Sequence, residues 1–128
     1  MSRSGAGRPV FDATAVLALL QDEPDAEVLR KLLPEAIVSA VNVAEVLAKL
    51  VSRGMQVHEA QAVYGALHLD SVAFEPEMAA VSAHFVHKNV SLGDRCFLAA
   101  AQRYGSGWTS DHALSSLSSR SVSLNFFR

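Results

Sequence analysis

Four acidic side chains stand at the edges of apolar runs. Asp12 closes PVFD, Glu45 lies early in VNVAEVLAKL, Asp94 follows Ser91-Leu92-Gly93, and Asp111 follows Trp108-Thr109-Ser110. Each run looks like an element that must pack in a single core. Carboxylates brought together at the ends of such elements repel one another unless a cation holds them, and a buried carboxylate without a partner is costly. No cluster of Cys or His accompanies them, so the donor set is hard oxygen and suits Mg2+ or Mn2+ rather than zinc. Mg2+ takes one or two protein carboxylates and keeps several waters, which leaves room for phosphate oxygens. The chemistry implied is metal-assisted hydrolysis.

Each acid also has a local explanation. Asn42 to Glu45 has the spacing of a capping box, in which a carboxylate reaches back to a backbone N–H. Glu45 also precedes Lys49 by four residues, a favourable helical ion pair. Ser91 to Asp94 repeats the capping spacing, and the helix dipole would favour Asp94 there. Asp12 and Asp111 could each cap the helix that follows. Asp12 is the least explained locally, because it ends an apolar strand expected to be central.

The elements that must position these acids alternate. Strands are expected at 9–12, 36–39, 71–74, 108–110 and 121–126. Helices are expected from Thr14, from Pro24 to Leu33, from Asn42 to about Ser52 with Gly54 ending it, at 58–67, at 77–87 and at 92–104. The last shows Phe97, Leu98, Ala101 and Tyr104 at helical spacing, and Gly105-Ser106-Gly107 is expected to break it. Such alternation predicts an α/β fold: a central, mostly parallel sheet of four to five strands with helices on both faces. In such sheets ligands sit beyond the carboxyl ends of the strands. Asp12 and Asp111 fall at strand ends, and Glu45 and Asp94 fall in first turns of helices.

Composition is consistent with one folded domain. The chain has 128 residues, half of them hydrophobic, and a net charge of −2, which argues against a broadly basic nucleic-acid coat. Residues 1–7 are expected to form a flexible tail and 8–128 a single domain. The start MSRSGAGRP lacks the apolar core of a signal peptide. No run approaches the ~18 to 20 apolar residues that span a bilayer, so a cytoplasmic protein is expected, with no membrane partner. Cys96, alone in the sequence, reads as a buried thiol.

The segments FDATAVLALL, SAVNVAEVLAKL, VSLGDRCFLAAA and WTSDHAL resemble, in order and spacing, the four acidic segments of PIN-domain ribonucleases. The nearer resemblance is to the VapC toxins of toxin–antitoxin pairs, and it runs from about residue 8 onward. It implies a PIN-like three-layer sandwich and a Mg2+- or Mn2+-dependent endoribonuclease that inhibits translation by cutting RNA of the tRNA or rRNA class. It implies Asp12, Glu45, Asp94 and Asp111 as catalytic metal-binding acids, Asp111 being the more variable one. Thr109 resembles the small hydroxyl residue at the edge of the site, and it and Arg95 are expected to bind substrate. His112 stands where the family commonly has Arg or Lys, and Trp108 is bulkier than the usual aliphatic residue. Partners implied are a VapB-like antitoxin, held by an apolar groove along the helices at 14–33 and 42–52, and a second copy in a homodimer.

Other residues take lesser roles. Arg95, beside Asp94, either pairs with an acid or contacts phosphate. Lys49 either neutralises Glu45 or reaches RNA. His84 and His87 read as a solvated or packed helix face, and His58 and His68 as surface residues. Two alternatives stand against the nuclease. Phe11-Asp12-Ala13-Thr14 begins like the D-x-D of haloacid-dehalogenase-like phosphatases but has Thr14 in place of the second acid. A catalytically silent PIN fold that binds RNA or protein is the other.

Overall fold

The computed structural model describes residues 7–118 and 121–128, so the expected tail lies outside the described residues except for Gly7. Five strands form one fully parallel sheet: β1 (Arg8–Phe11), β2 (Ile37–Ser39), β3 (Asp70–Val72), β4 (Gly105–Thr109) and β5 (Ser123–Phe126), in the order β3-β2-β1-β4-β5. Six α-helices connect them: α1 (Ala13–Leu20), α2 (Glu27–Leu32), α3 (Ala40–Ser52), α4 (Val57–Gly65), α5 (Pro76–Ala83) and α6 (Leu92–Tyr104).

The inner strands are buried on both sides, and alternate residues feed two cores. Phe11 and Val38 point into a core shared with Val16, Leu19, Leu29, Val46 and Leu50 of α1–α3. Val10 and Ile37 point the other way, toward Met78 of α5 and Phe97 and Leu98 of α6. The result is three layers, with α1–α4 on one face and α5–α6 on the other. Leu17, Leu20, Leu33 and Leu47 pack partly buried against the first core.

The chain runs outward from β1 through β2 to β3, then returns over the sheet through α5 and α6 to β4 on the other side of β1. The strand order therefore reverses between β1 and β4. The carboxyl ends of these two adjacent parallel strands open the crevice where open α/β sheets bind ligands.

Several boundaries differ from expectation. Gly105-Ser106-Gly107 does not end α6 with a turn; it forms most of β4. A Cβ on Gly105 would lie 2.1 Å from the Arg8 carbonyl oxygen, and one on Gly107 2.6 Å from Phe97 Cζ, so glycine is required by the close approach of β1 and α6. The helix expected over Pro24–Leu33 is divided: 3₁₀ turns at Pro24–Ala26 and Leu33–Glu35 flank a short α2. Pro24 starts the first turn, and Pro34, which cannot donate to an α-helical ladder, sits in the second. α5 stops at Ala83, so His84 and His87 do not share a helix; both are exposed, as are His58 and His68. α3 begins at Ala40 with Ser39 as its cap, two residues before the expected start, and Gly54 follows it with φ of 111°. No helix among the described residues is long and apolar enough to cross a membrane.

Candidate active site

Asp12 follows the central strand directly and is 4% exposed. The β1–β4 register pairs Phe11 with Trp108, and the Asp12 N–H donates to the Trp108 carbonyl at 3.3 Å. Thr109 thereby comes level with the carboxylate. Its hydroxyl donates to Asp12 Oδ2 at 2.5 Å. On the other side Oδ1 accepts the Thr14 hydroxyl at 2.6 Å and the Ala15 N–H at 3.0 Å, so Asp12 also caps α1.

The two threonines are themselves oriented. Thr109 Oγ1 accepts the Asp111 N–H at 2.9 Å, and Thr14 Oγ1 accepts the Ser110 N–H at 3.0 Å. Two successive backbone amides after β4 therefore fix two hydroxyls, which in turn grip both oxygens of one buried carboxylate. Thr109, expected at the edge of the site, is fully buried there with its hydroxyl on Asp12. Cys96 is a buried thiol as expected, and burial raises its pKa.

Burial pushes the Asp12 carboxyl up from 3.8 to about 6, against the three hydrogen bonds that favour its charged form, and the negative charge of Asp94 pushes it further. Among the described residues Asp12 is in no ion pair; its hydrogen-bond partners are two hydroxyls and a backbone amide.

Asp94 sits in the first turn of α6. Ser91 Oγ accepts the Asp94 N–H at 3.2 Å while Asp94 Oδ2 accepts the Ser91 N–H at 3.0 Å, a complete capping box. Arg95, its neighbour, reaches the Val90 carbonyl at 3.5 Å. Asp111 caps the 3₁₀ turn His112–Leu117, its Oδ1 accepting the Ala113 N–H at 3.0 Å. The exposed ring of His112 stacks on Phe126 with centroids 4.6 Å apart.

Glu45 differs from expectation. Because α3 begins at Ala40, Glu45 lies well inside the helix, and the capping reading of Asn42–Glu45 does not hold. Its carboxylate instead accepts from the Asn42 side-chain amide at 2.7 Å, in place of an ion pair with Lys49. That amide also donates to the Gly93 carbonyl at 3.2 Å, so α3 and α6 are joined beside the two acids. Asn42 and Thr14 are the functional candidates that sequence reasoning missed. An Asn among apolar residues one turn before Glu45, and a Thr two residues after a strand-ending Asp, are the signals that were present.

A cleft of about 220 Å³ borders the site, lined by Thr14 and Ser110 at one part and by Gln21, Arg53 and Arg128 at another. Arg128 is paired there with Glu23 and Asp25.

A sequence model of the PIN domain matches residues 10–117, a span that holds all four acids, β2 to β4 and the second half of β1. This chain belongs to the PIN-domain family. Solved structures with the same fold include VapBC2 from Rickettsia felis bound to a DNA fragment from its promoter, with 13% identity, TM-score 0.69, and coverage of 92% of this chain and 97% of that one. FitAB bound to the IR36 DNA fragment shares 17% identity with TM-score 0.66, covering 93% and 94%. PAE2754 from Pyrobaculum aerophilum shares 16% identity with TM-score 0.61, covering 92% and 84%. A search of curated protein sequences returned no match.

PIN nucleases generally use divalent metals, and the residues here suit one in a specific way. Among the described residues, no three His, Cys, Asp or Glu side chains stand close enough to form a ready-made cage. The fit rests instead on Asp12, a buried carboxylate under the charge of Asp94 and in no ion pair among the described residues. Carboxylate oxygens with no Cys or His among them suit Mg2+ or Mn2+ better than Zn2+.

Proposed function

We propose that this PIN-domain protein is a Mg2+- or Mn2+-dependent endoribonuclease and the toxin of a VapBC-type pair, inhibiting translation by cutting RNA of the tRNA or rRNA class. The observation that carries the proposal is Asp12: a buried carboxylate at the switch point of a parallel sheet, gripped through both oxygens, under the charge of Asp94, and in no ion pair among the described residues. A merely structural carboxylate is paired or replaced, because an unpaired buried charge destabilises the fold.

In this reading Asp12 and Asp94 hold the metal, with Glu45 and Asp111 completing the acidic rim directly or through water. A bound divalent ion supplies a water of lowered pKa and screens the acids from the phosphate. The chain's own residues do the rest. Thr109 and Thr14 keep the Asp12 carboxylate from rotating and favour its ionised form. Arg95 stands beside the acids, where a swing away from the Val90 carbonyl brings its guanidinium to a phosphate oxygen. Without the metal, the acids repel RNA.

The partner reading is supported by two of the related structures, the VapBC2 and FitAB complexes. A VapB-like antitoxin would cover the partly buried leucines of α1–α3, Leu17, Leu20, Leu33 and Leu47, and a homodimer is expected alongside. One observation favours the alternative of a catalytically silent PIN fold: Asp94 already has a structural task in its capping box. Purified protein incubated with total RNA in Mg2+ or Mn2+ separates the readings. The nuclease yields discrete new RNA ends that vanish in Asp12→Asn and Asp94→Asn; the silent module yields none while still retaining RNA or antitoxin on a column.

A further inference from the structure

We propose that Asn42 is a positioning residue, which fixes the Glu45 carboxylate against the first turn of α6 and so sets its place relative to Asp94. This rests on the reading of the acids as a metal-dependent nuclease site.

Asn42 lies on α3 and is 1% exposed. Its Nδ2 donates to Glu45 Oε1 at 2.7 Å and to the Gly93 carbonyl at 3.2 Å. Two acceptors on one side fix the amide's orientation, since only the NH2 end can face both. One side chain thus ties the helix that carries Glu45 to the helix that carries Asp94. Gly93 shapes the opposite wall. A Cβ there would fall 2.0 Å from Glu45 Oε2, so the carboxylate lies directly over the glycine. Glu45 is otherwise exposed, and a long exposed side chain without such a slot samples many rotamers.

The other end of the amide argues against a purely structural role. Asn42 Oδ1 is buried and has no hydrogen-bond partner among the described residues. Leaving a buried acceptor unpaired is unfavourable, whereas an apolar side chain of the same shape would satisfy the packing without it. What the apolar residue would not supply is the N–H aimed at Glu45. Fixing a ligand through a neighbour's hydrogen bond is how outer residues set metal affinity.

The test compares Asn42→Leu, close in size and lacking the donor, with Glu45→Gln and the double variant. Three quantities are read: the melting temperature, Mn2+ affinity by calorimetry, and kcat and KM for an RNA substrate. Asn42→Leu is expected to melt at or above the wild-type temperature while Mn2+ binds ~10-fold more weakly or worse. The kcat is expected to fall by a similar factor with KM unchanged. In the Glu45→Gln background, Asn42→Leu is expected to add nothing. A lowered melting temperature with wild-type Mn2+ affinity and kcat would overturn the proposal, and so would additive effects in the double variant. Should Asn42→Leu fail to fold, the isosteric Asn42→Asp, which turns a like charge toward Glu45, is read by the same measures. If Glu45→Gln itself leaves Mn2+ binding and cleavage at wild-type values, the metal-site reading fails and this proposal with it.

Discussion

Thr109 donates its hydroxyl to Asp12 across 97 residues of sequence, at 2.5 Å, because β4 lies in register beside β1. The bond is made by a fully buried hydroxyl to a nearly buried carboxylate, and its own acceptor side is occupied by the Asp111 N–H. Thr109→Val keeps the shape and removes the donor. Hydrogen bonds to charged groups contribute about 1.5–3 kcal/mol, so the variant is expected to lose that much stability at pH 8, where Asp12 is ionised, and far less at pH 4. Urea denaturation at the two pH values checks the difference.

The metal-free protein is expected to become less stable as pH rises from about 4 to above 6. Asp12 has a pKa near 3.8 in the unfolded chain and about 6 in the fold. Between those values the folded state holds a proton that the unfolded chain has released. The stability contributed by neutral Asp12 is therefore complete below the unfolded value and is lost as pH climbs through the folded one. The difference amounts to about 3 kcal/mol. Asp12→Asn is expected to flatten this slope, and saturating Mn2+ at pH 7.5 to raise the melting temperature of the wild type but not of the variant.

Asp94 combines two roles that substitution can separate. Asp94→Asn keeps an acceptor for the Ser91 N–H and removes the charge facing Asp12. It is expected to match or exceed the wild type in thermal stability while losing cleavage. Asp94→Ala removes the cap as well and is expected to lose about 1 kcal/mol. Paired calorimetric scans and cleavage assays distinguish this from a carboxylate that only caps, for which Asp94→Asn would leave cleavage intact.

Gly93→Ala would place a methyl group in the position now held by Glu45 Oε2. The obstructed atom is the far end of a flexible side chain, so the helix is expected to survive with little loss of stability while the Glu45 carboxylate is displaced. Cleavage is expected to fall at least ~10-fold, the scale of a misplaced ligand support. A crystal structure of the variant with Glu45 unmoved would contradict this.

The sequence carried the architecture where signals were local. The apolar spacing of α6 and the Ser91–Asp94 cap are intrinsic to that segment, and both stand in the structure as expected. The period-two burial of Val10-Phe11 and Ile37-Val38 was hidden, since strands buried on both faces show continuous apolar runs. Gly105–Gly107 read as a breaker because glycine's two uses, turning and permitting close approach, look alike until the neighbour is known. Here the neighbour is the backbone of Arg8, nearly a hundred positions away. The same limit hid the site's supports. Asn42 stood three residues before Glu45 and matched a local cap, but the residue that fixes its role is Gly93 on another helix. The acids were legible because carboxylates at element ends are unusual; the threonines and the asparagine that hold them were not, because each is ordinary until the strands are paired.

The most direct test of the nuclease account is cleavage of a defined RNA by the purified wild type and by Asp12→Asn, in Mn2+, in EDTA, and in EDTA followed by excess Mn2+. The account predicts cleavage by the wild type in Mn2+, none in EDTA, recovery when Mn2+ is restored, and none by folded Asp12→Asn in any condition. Undiminished cleavage in EDTA, or by Asp12→Asn, would contradict it.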